Sequence, residues 1–125
     1  MITIDGINYD VPIKIVRRKV DVLDKYAERV ESGVLHREVL GVYFNYDLEC
    51  GMSSHNVADY AALFLKLSEP VEFHTIIMPG APSGYAEFSC YFANVTDEVK
   101  RYNEGGVNYF RNLSFSVIAR SPSRV

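Results

Sequence analysis

Few residues in this chain are of types that carry out catalysis or bind metals. Histidines occur at His36, His55 and His74, and cysteines at Cys50 and Cys90. The histidines form no HxH, HxxxH or HExxH pattern, and neither cysteine lies at metal-ligand spacing from the other. Convergence of His36 and His74 from neighbouring strands is the alternative. We expect ordinary strand residues there, and neither a metal nor a cofactor site.

Ser53-Ser54-His55, with Asp59 nearby, places a nucleophile, a base and a carboxylate close together in the sequence. A catalytic triad also needs a positioned base and an oxyanion hole, and no GxSxG elbow is present. Ser, Asn and Asp at the start of a helix are more simply explained as caps, with Asn56 as the N-cap and Asp59 in a capping-box-like position. The sequence therefore predicts no catalytic residues and no enzyme.

Charge argues against a nucleic-acid-binding protein. The net charge is −3, whereas such proteins usually carry a basic surplus on one face. The basic run Arg17-Arg18-Lys19 would alternate between the two faces of a strand. Residues 80–84 contain glycines but no GK[ST] sequence, so they are interpreted as a hairpin loop.

The longest pattern is the alternation in VLHREVLGVYFNYDLECG, residues 34–51, which is typical of a β-strand. It follows the polar turn Glu31-Ser32-Gly33, so a long hairpin is predicted over about 20–48. Residues 21–30 also fit one or two helical turns, but an extended arm is favoured. Gly41 is a candidate bulge, and the part of the strand before it is expected to project from the body.

One helix is predicted at about 55–68. An apolar stripe would face the sheet, and Pro70 would end the helix. The stripe consists of Val57, Tyr60, Ala61, Phe64 and Leu67.

The remaining segments predict further strands. Asp5-Gly6 indicates an N-terminal hairpin, and strands are expected at 71–78, 85–93 and 107–120, with 94–106 as a connector that could hold a helical turn. The tail, 120–125, is expected to be mobile. The chain of 125 residues is 48% hydrophobic and would form a single domain, residues 1–125, with Cys50 and Cys90 as buried free thiols.

The fold expected from this order is mainly β (α+β), because the strands do not alternate with helices. It would be an antiparallel β-sandwich or split barrel with one flanking helix. No membrane-spanning segment is predicted.

Several stretches resemble small structural proteins of the tail region of phages and prophages of Gram-positive bacteria, a set of tail-tube, distal-tail and baseplate components. The shared pattern is a long hairpin with a glycine at its tip, an aromatic strand, a D-Y-x-x-L helix ended by x-E-P, and a closing aromatic-x-N-L stretch. Here these features are Gly33, residues 43–48, Asp59-Tyr60 with Leu63, Glu69-Pro70, and residues 109–113.

The resemblance implies a non-enzymatic protein that assembles with itself into rings, commonly hexameric, and with other tail proteins. It would lie in the virion tail, and in the bacterial cytoplasm during assembly. The predicted subunit contacts are Tyr26, Arg29, Glu31, Gly33, Leu35, Arg37, Tyr43, Pro82 and Tyr85.

An alternative function is a small ligand-binding β-barrel. Its pocket would be lined by aromatic side chains on one face of the sheet, although the filling of an ordinary core is the commoner use of such residues. The candidates are Tyr43, Phe73, Phe88, Phe92, Tyr109 and Phe115.

Overall fold

The computed structural model describes residues 2–29, 31, 33–53, 55–80 and 83–123, with only the backbone described at 25–29 and 36. This part of the chain is mainly β with one helix, as predicted. Its elements are β1 (Ile2–Ile4), β2 (Ile7–Tyr9), β3 (Ile13–Arg29), β4 (Leu35–Cys50), α1 (Val57–Leu67), β5 (His74–Pro79), β6 (Tyr85–Glu104) and β7 (Val107–Ala119).

The described strands form one open sheet of seven strands in the order β2-β1-β5-β6-β7-β4-β3. Every neighbouring pair is antiparallel. The short strand β2 and the long strand β3 are the two edges, and they do not pair with each other.

The core lies on one face of this sheet. Directly opposite residues of an antiparallel pair share a face, and the register places Leu48 opposite Phe115 and Tyr46 opposite Val117. The same face continues across the other strands, and α1 covers part of it with Tyr60, Leu63 and Leu67. The strand residues of the buried apolar cluster are Ile2, Ile4, Tyr9, Tyr46, Leu48, Cys50, Ile76, Met78, Cys90, Leu113, Phe115 and Val117.

The N-terminal hairpin turns at Asp5-Gly6, as predicted. Both residues have positive φ, 51° at Asp5 and 81° at Gly6. This is the backbone of a two-residue type I′ turn, which Asp-Gly favours because its twist matches the twist of the strands.

The first long hairpin consists of β3 and β4. Residues 21–29 are strand, so the extended arm is confirmed over the described residues. The predicted bulge is present beside Gly41, because the register runs from Leu23 opposite Gly41 to Asp24 opposite Val39 and skips Leu40. Strand β4 pairs with β7 only from Tyr46 to Cys50, so its earlier residues extend beyond that strand.

The prediction of a connector at 94–106 is wrong. Strand β6 is 20 residues long, Tyr85–Glu104, and forms a second long hairpin with β7. Its turn uses Gly105 and Gly106, with φ of 62° and 82°. The alternation was hidden because the register shifts four times between Ala93 and Glu104 and most of this arm is exposed, so neither face is consistently apolar.

The two hairpins project from opposite ends of the sheet. The arm of β3 and β4 extends past the carboxyl end of β7, whereas the turn between β6 and β7 lies beyond the amino end of β7. Ser123 lies beside the first arm, since its N–H donates to the Val42 carbonyl over 2.8 Å and its Oγ accepts from the Phe44 N–H over 3.1 Å. The mobility of the tail stays a prediction.

Helix α1 begins after Asn56, but the predicted capping box is absent. The Asn56 Oδ1 accepts from the Ser53 N–H over 2.6 Å, and its Nδ2 donates to the Gly51 carbonyl over 3.3 Å. The Asp59 carboxylate accepts from the Asp10 N–H over 2.9 Å and so ties the helix to the chain after β2. The preceding loop therefore occupies the Asn56 side chain, and a partner distant in sequence occupies the Asp59 side chain.

The apolar stripe of the helix is rotated relative to the prediction. Tyr60, Leu63 and Leu67 are buried, whereas Ala61 is exposed. Among the residues that the structure describes, no helix is long and apolar enough to cross a membrane.

Candidate functional site

The longer of the two edge strands of the described sheet is β3. This strand has 17 residues and pairs with β4 along one side only. An edge of this length presents a row of N–H and C=O groups to which another strand can add. Beyond the body, the arm of β3 and β4 pairs with no other described strand. An isolated two-stranded hairpin is only marginally stable in water, which favours a partner.

Apolar side chains continue the core face onto this edge. Val16 lies opposite Leu48, Val20 opposite Phe44 and Val22 opposite Val42, so these valines share the face of the core. Val20 is 62% exposed, Val22 44% and Val16 37%. The apolar face of the core therefore continues onto β3, where these valines stay partly exposed.

The opposite face of the same edge carries charges. Lys19 lies opposite Asn45, and its Nζ is 4.0 Å from an Asp47 carboxylate oxygen. The Asp21 carboxylate accepts a hydrogen bond from the Asn45 Nδ2 over 2.5 Å. Because Lys19 and Asp21 are exposed, their charges are available to a neighbouring molecule.

Asn45 is a residue that the sequence analysis missed. It is 7% exposed, and besides its contact with Asp21 its Oδ1 accepts from the Ala119 N–H over 2.8 Å. It thereby links β3, β4 and the end of β7. Its position in the polar register of β4 gave no sign of burial, because the burial comes from the end of a strand distant in sequence.

The structure brings together most of the predicted contact residues in the first arm. Glu31 and Gly33 lie in its turn, and Leu35, 45% exposed, begins β4. The Arg37 guanidinium donates to Asp24 through Nε over 3.0 Å and Nη2 over 2.8 Å, which braces the arm.

Two further contact residues, Tyr26 and Arg29, lie in the same arm, where their backbones pair with Glu38 and Leu35. The others are dispersed. Tyr43 lies opposite Asp21 on the charged face. Tyr85, 79% exposed, begins β6 and lies in a different part of the sheet. Pro82 lies outside the described residues. A role in subunit contacts stays a prediction for all of them.

A polar cluster at the N-terminal hairpin also escaped the sequence analysis. The Asp5 carboxylate accepts from His74 Nδ1 over 2.7 Å, from the Thr75 N–H over 2.8 Å and from Lys66 Nζ over 3.2 Å. Lys66 Nζ is also 3.2 Å from a Glu69 oxygen. Burial opposes ionisation of Asp5, but the hydrogen bonds from Thr75, His74 and Lys66 outweigh it and lower its pKa to about 2.

The cluster fits a structural role better than a metal site. Ligand atoms of Asp5, Glu69 and His74 lie within 4.8 Å of one another. The Lys66 ammonium already sits between the two carboxylates and supplies the cation that they need. Because Asp5 is ionised and can only accept, His74 must donate through Nδ1. The cluster therefore holds the turn between β1 and β2 against α1 and β5.

Asp5→Asn is expected to lower the free energy of unfolding by about 1 kcal/mol at pH 7, since a charge-assisted acceptor in a partly exposed site is lost. The folded-state pKa lies below its ordinary value, so the stabilisation by Asp5 is present above that value and disappears as the pH falls toward 2.

The measurement is urea denaturation of both proteins at pH 7 and near pH 2.5. Asp10→Asn, the same chemical change at an exposed side chain, is the control. An Asp5→Asn deficit of equal size at both pH values would contradict the ionic role, because Asn-Gly preserves the turn.

The predicted absence of catalytic residues stays a prediction, but the groups singled out are not arranged for catalysis. His55 is exposed and its backbone N–H donates to the Ser53 Oγ, Ser54 lies outside the described residues, and the Asp59 carboxylate accepts from the Asp10 N–H.

The Cys50 and Cys90 thiols are buried and free, as expected. Burial raises the pKa of each to about 12, which makes them poor nucleophiles.

Three of the six aromatic side chains suggested for a ligand pocket, those of Phe88, Phe92 and Phe115, pack in the core instead. Phe115 is 2% exposed and meets Phe92 edge to face at 5.7 Å, and Phe88 packs against the same core.

A separate apolar groove of about 370 Å³ opens between α1 and the second arm. The Tyr60 hydroxyl donates to Asp97 there over 3.1 Å. Its lining is Met52, Val57, Tyr60, Ala61, Phe64, Leu65, Asp97, Asn108 and Phe110.

Comparison with protein-family models, with curated proteins and with solved structures found no match for this chain.

Proposed function

We propose that this protein is a non-enzymatic building block that assembles with copies of itself, as a structural component of a phage or prophage tail. The observation that best supports self-assembly is the 17-residue edge strand β3. The apolar face of the core continues onto this strand, where Val20 is 62% exposed. Such an edge is a template for addition of a strand from another molecule.

The two projecting arms support the same proposal. They point away from opposite ends of the sheet, so the arm of one copy can reach the body of the next. A contact between two different surfaces closes into a ring when its rotation permits. A ring, hexameric in the proteins that the sequence resembles, would place these arms between neighbours.

The tail assignment rests on the sequence pattern alone. The Gly33 turn, the aromatic strand at 43–48 and the D-Y-x-x-L helix ended by Glu69-Pro70 are the features shared with tail-tube, distal-tail and baseplate proteins. On this assignment the protein acts in the virion tail, with other tail proteins as partners, after assembly in the bacterial cytoplasm.

Self-assembly is tested by size-exclusion chromatography with light scattering over a concentration series, followed by electron microscopy of the largest species. The expected result is an average mass that rises with concentration, with ring-shaped particles at the upper end. A chain that stays monomeric at every concentration and adds to no tail particle would overturn the proposal.

A further inference from the structure

We propose that two copies of this protein pair through their β3 edges, antiparallel and related by a two-fold axis that passes beside Val20. The inference rests on the proposed self-assembly and names its first contact. It follows from the register of β3 in the sheet and from the order of charges along this strand.

Symmetry restricts the possible registers. The two-fold axis of an antiparallel edge-to-edge pair is perpendicular to the sheet, so it leaves the core face of both copies on the same side. Directly opposite residues must then share a face, as they do within one sheet. Consequently the axis passes beside a residue, and that residue lies opposite its own copy.

Charges select one register among the nine residues from Val16 to Asp24. With the axis beside Val20, Lys19 of each copy lies opposite Asp21 of the other, and no like charges are directly opposed. Centres at Arg17, Arg18, Lys19, Asp21 and Asp24 oppose a charge with its own copy. Centres at Val16, Val22 and Leu23 bring no opposite charges together within residues 15–24, the stretch between the register shifts at Ile13/Ile15 and Asp24/Tyr26. Val20 is therefore the one centre that forms ion pairs in this stretch without opposing like charges.

The selected register also joins the exposed apolar surfaces. Val20 meets its own copy, and Val22 lies opposite the aliphatic stem of Arg18, on the face that continues the core. On the other face, Lys19 and Asp21 form two symmetric cross-strand ion pairs. The pair of sheets would then be one sheet of fourteen strands, twice the seven of one copy.

This contact leaves the end of the first arm and the whole second arm free for another contact. The turn of the first arm lies beyond Arg29, and the second arm projects from the other end of the sheet. A two-fold pair through β3 can therefore be the repeating unit of a ring closed by the arms.

The register is tested by site-specific cross-linking with single cysteines at Val20, Val22 and Val16. The native thiols of Cys50 and Cys90 are 0% exposed and do not compete. In the proposed pair, Val20→Cys meets its copy at the Cβ separation of directly opposite residues, about 5 Å. The two copies of Val22→Cys lie about 13 Å apart and those of Val16→Cys about 26 Å, from the rise per strand residue.

Mild oxidation, or a short thiol-reactive linker, is expected to produce covalent dimers of Val20→Cys quickly and of the two controls slowly or not at all. Equal or faster cross-linking at Val22 or Val16 would overturn the register. If none cross-links while the unmodified protein still associates, the β3 contact is wrong but self-assembly stands. If none cross-links and the protein is monomeric at the same concentration, both proposals fail.

A charge exchange tests the ion pairs separately. Lys19→Asp alone opposes acidic groups at two symmetric positions and is expected to raise the dissociation constant of the pair about tenfold. Adding Asp21→Lys restores opposite charges and should recover the affinity. Sedimentation equilibrium measures the constants, with circular dichroism as the check on folding. Equal effects of the single and double variants would contradict the proposed pairing.

Discussion

Phe115→Ala is expected to lower the free energy of unfolding by about 3–5 kcal/mol, the usual cost of truncating a buried phenylalanine. Phe115 is 2% exposed, lies opposite Leu48 and meets Phe92 edge to face. The cavity would open at the centre of the sheet, where paired strands on both sides hinder collapse. Since domains of this size are stable by only about 5–15 kcal/mol, much of the stability would be lost.

Urea denaturation followed by circular dichroism measures the loss as a lower midpoint at an unchanged slope. Tyr102→Ala is the matched control, because this aromatic residue is 81% exposed on the second arm. Its effect should stay within about 0.5 kcal/mol. A midpoint for Phe115→Ala close to that of Tyr102→Ala would contradict the placement of Phe115 in the core.

Removal of the first arm is expected to abolish the large assemblies while the body still folds. The variant replaces residues 24–40 by Asn-Gly between Leu23 and Gly41, which lie opposite each other, so a two-residue turn can join them. The deleted segment includes the Arg37–Asp24 ion pair but no part of the buried core. The β3 edge up to Leu23 remains, so two-fold pairs should persist.

Light scattering and electron microscopy measure the size of the assemblies, and thermal denaturation measures the stability of the body. The second arm supplies a matched control for folding, with Asn-Gly in place of residues 100–109 between the opposed Val99 and Phe110. A first-arm variant that still forms full-size assemblies would exclude the arm as a subunit contact. A variant that unfolds would show instead that the arm supports the body.

The local elements could be predicted where one short stretch of sequence contains the whole signal. Asp5-Gly6 adopts the positive φ values of its turn, Pro70 follows the helix, and the alternation before Cys50 is the strand that it indicates. The bulge beside Gly41 belongs to the same group. In each case the deciding physics is steric or involves neighbours in the chain.

The second arm and the Asp5 cluster could not be predicted in this way. Strand β6 beyond Asn94 has no consistently apolar face, so only its pairing with β7 makes it a strand. Asp5 meets His74, 69 residues away, and Lys66 because β1 pairs with β5 and α1 packs beside them. Neither partner is recognisable from the residues around Asp5.

The sequence alone determined that the chain is mainly β with one helix, and it located the first long hairpin with its turn and bulge. Only the tertiary structure decided the order of the strands, and this order makes β3 an edge of the described sheet and points the two arms in opposite directions. The physical reason is that periodicity reports which face of a strand is apolar, whereas the choice of its neighbours depends on the burial summed over segments distant in sequence.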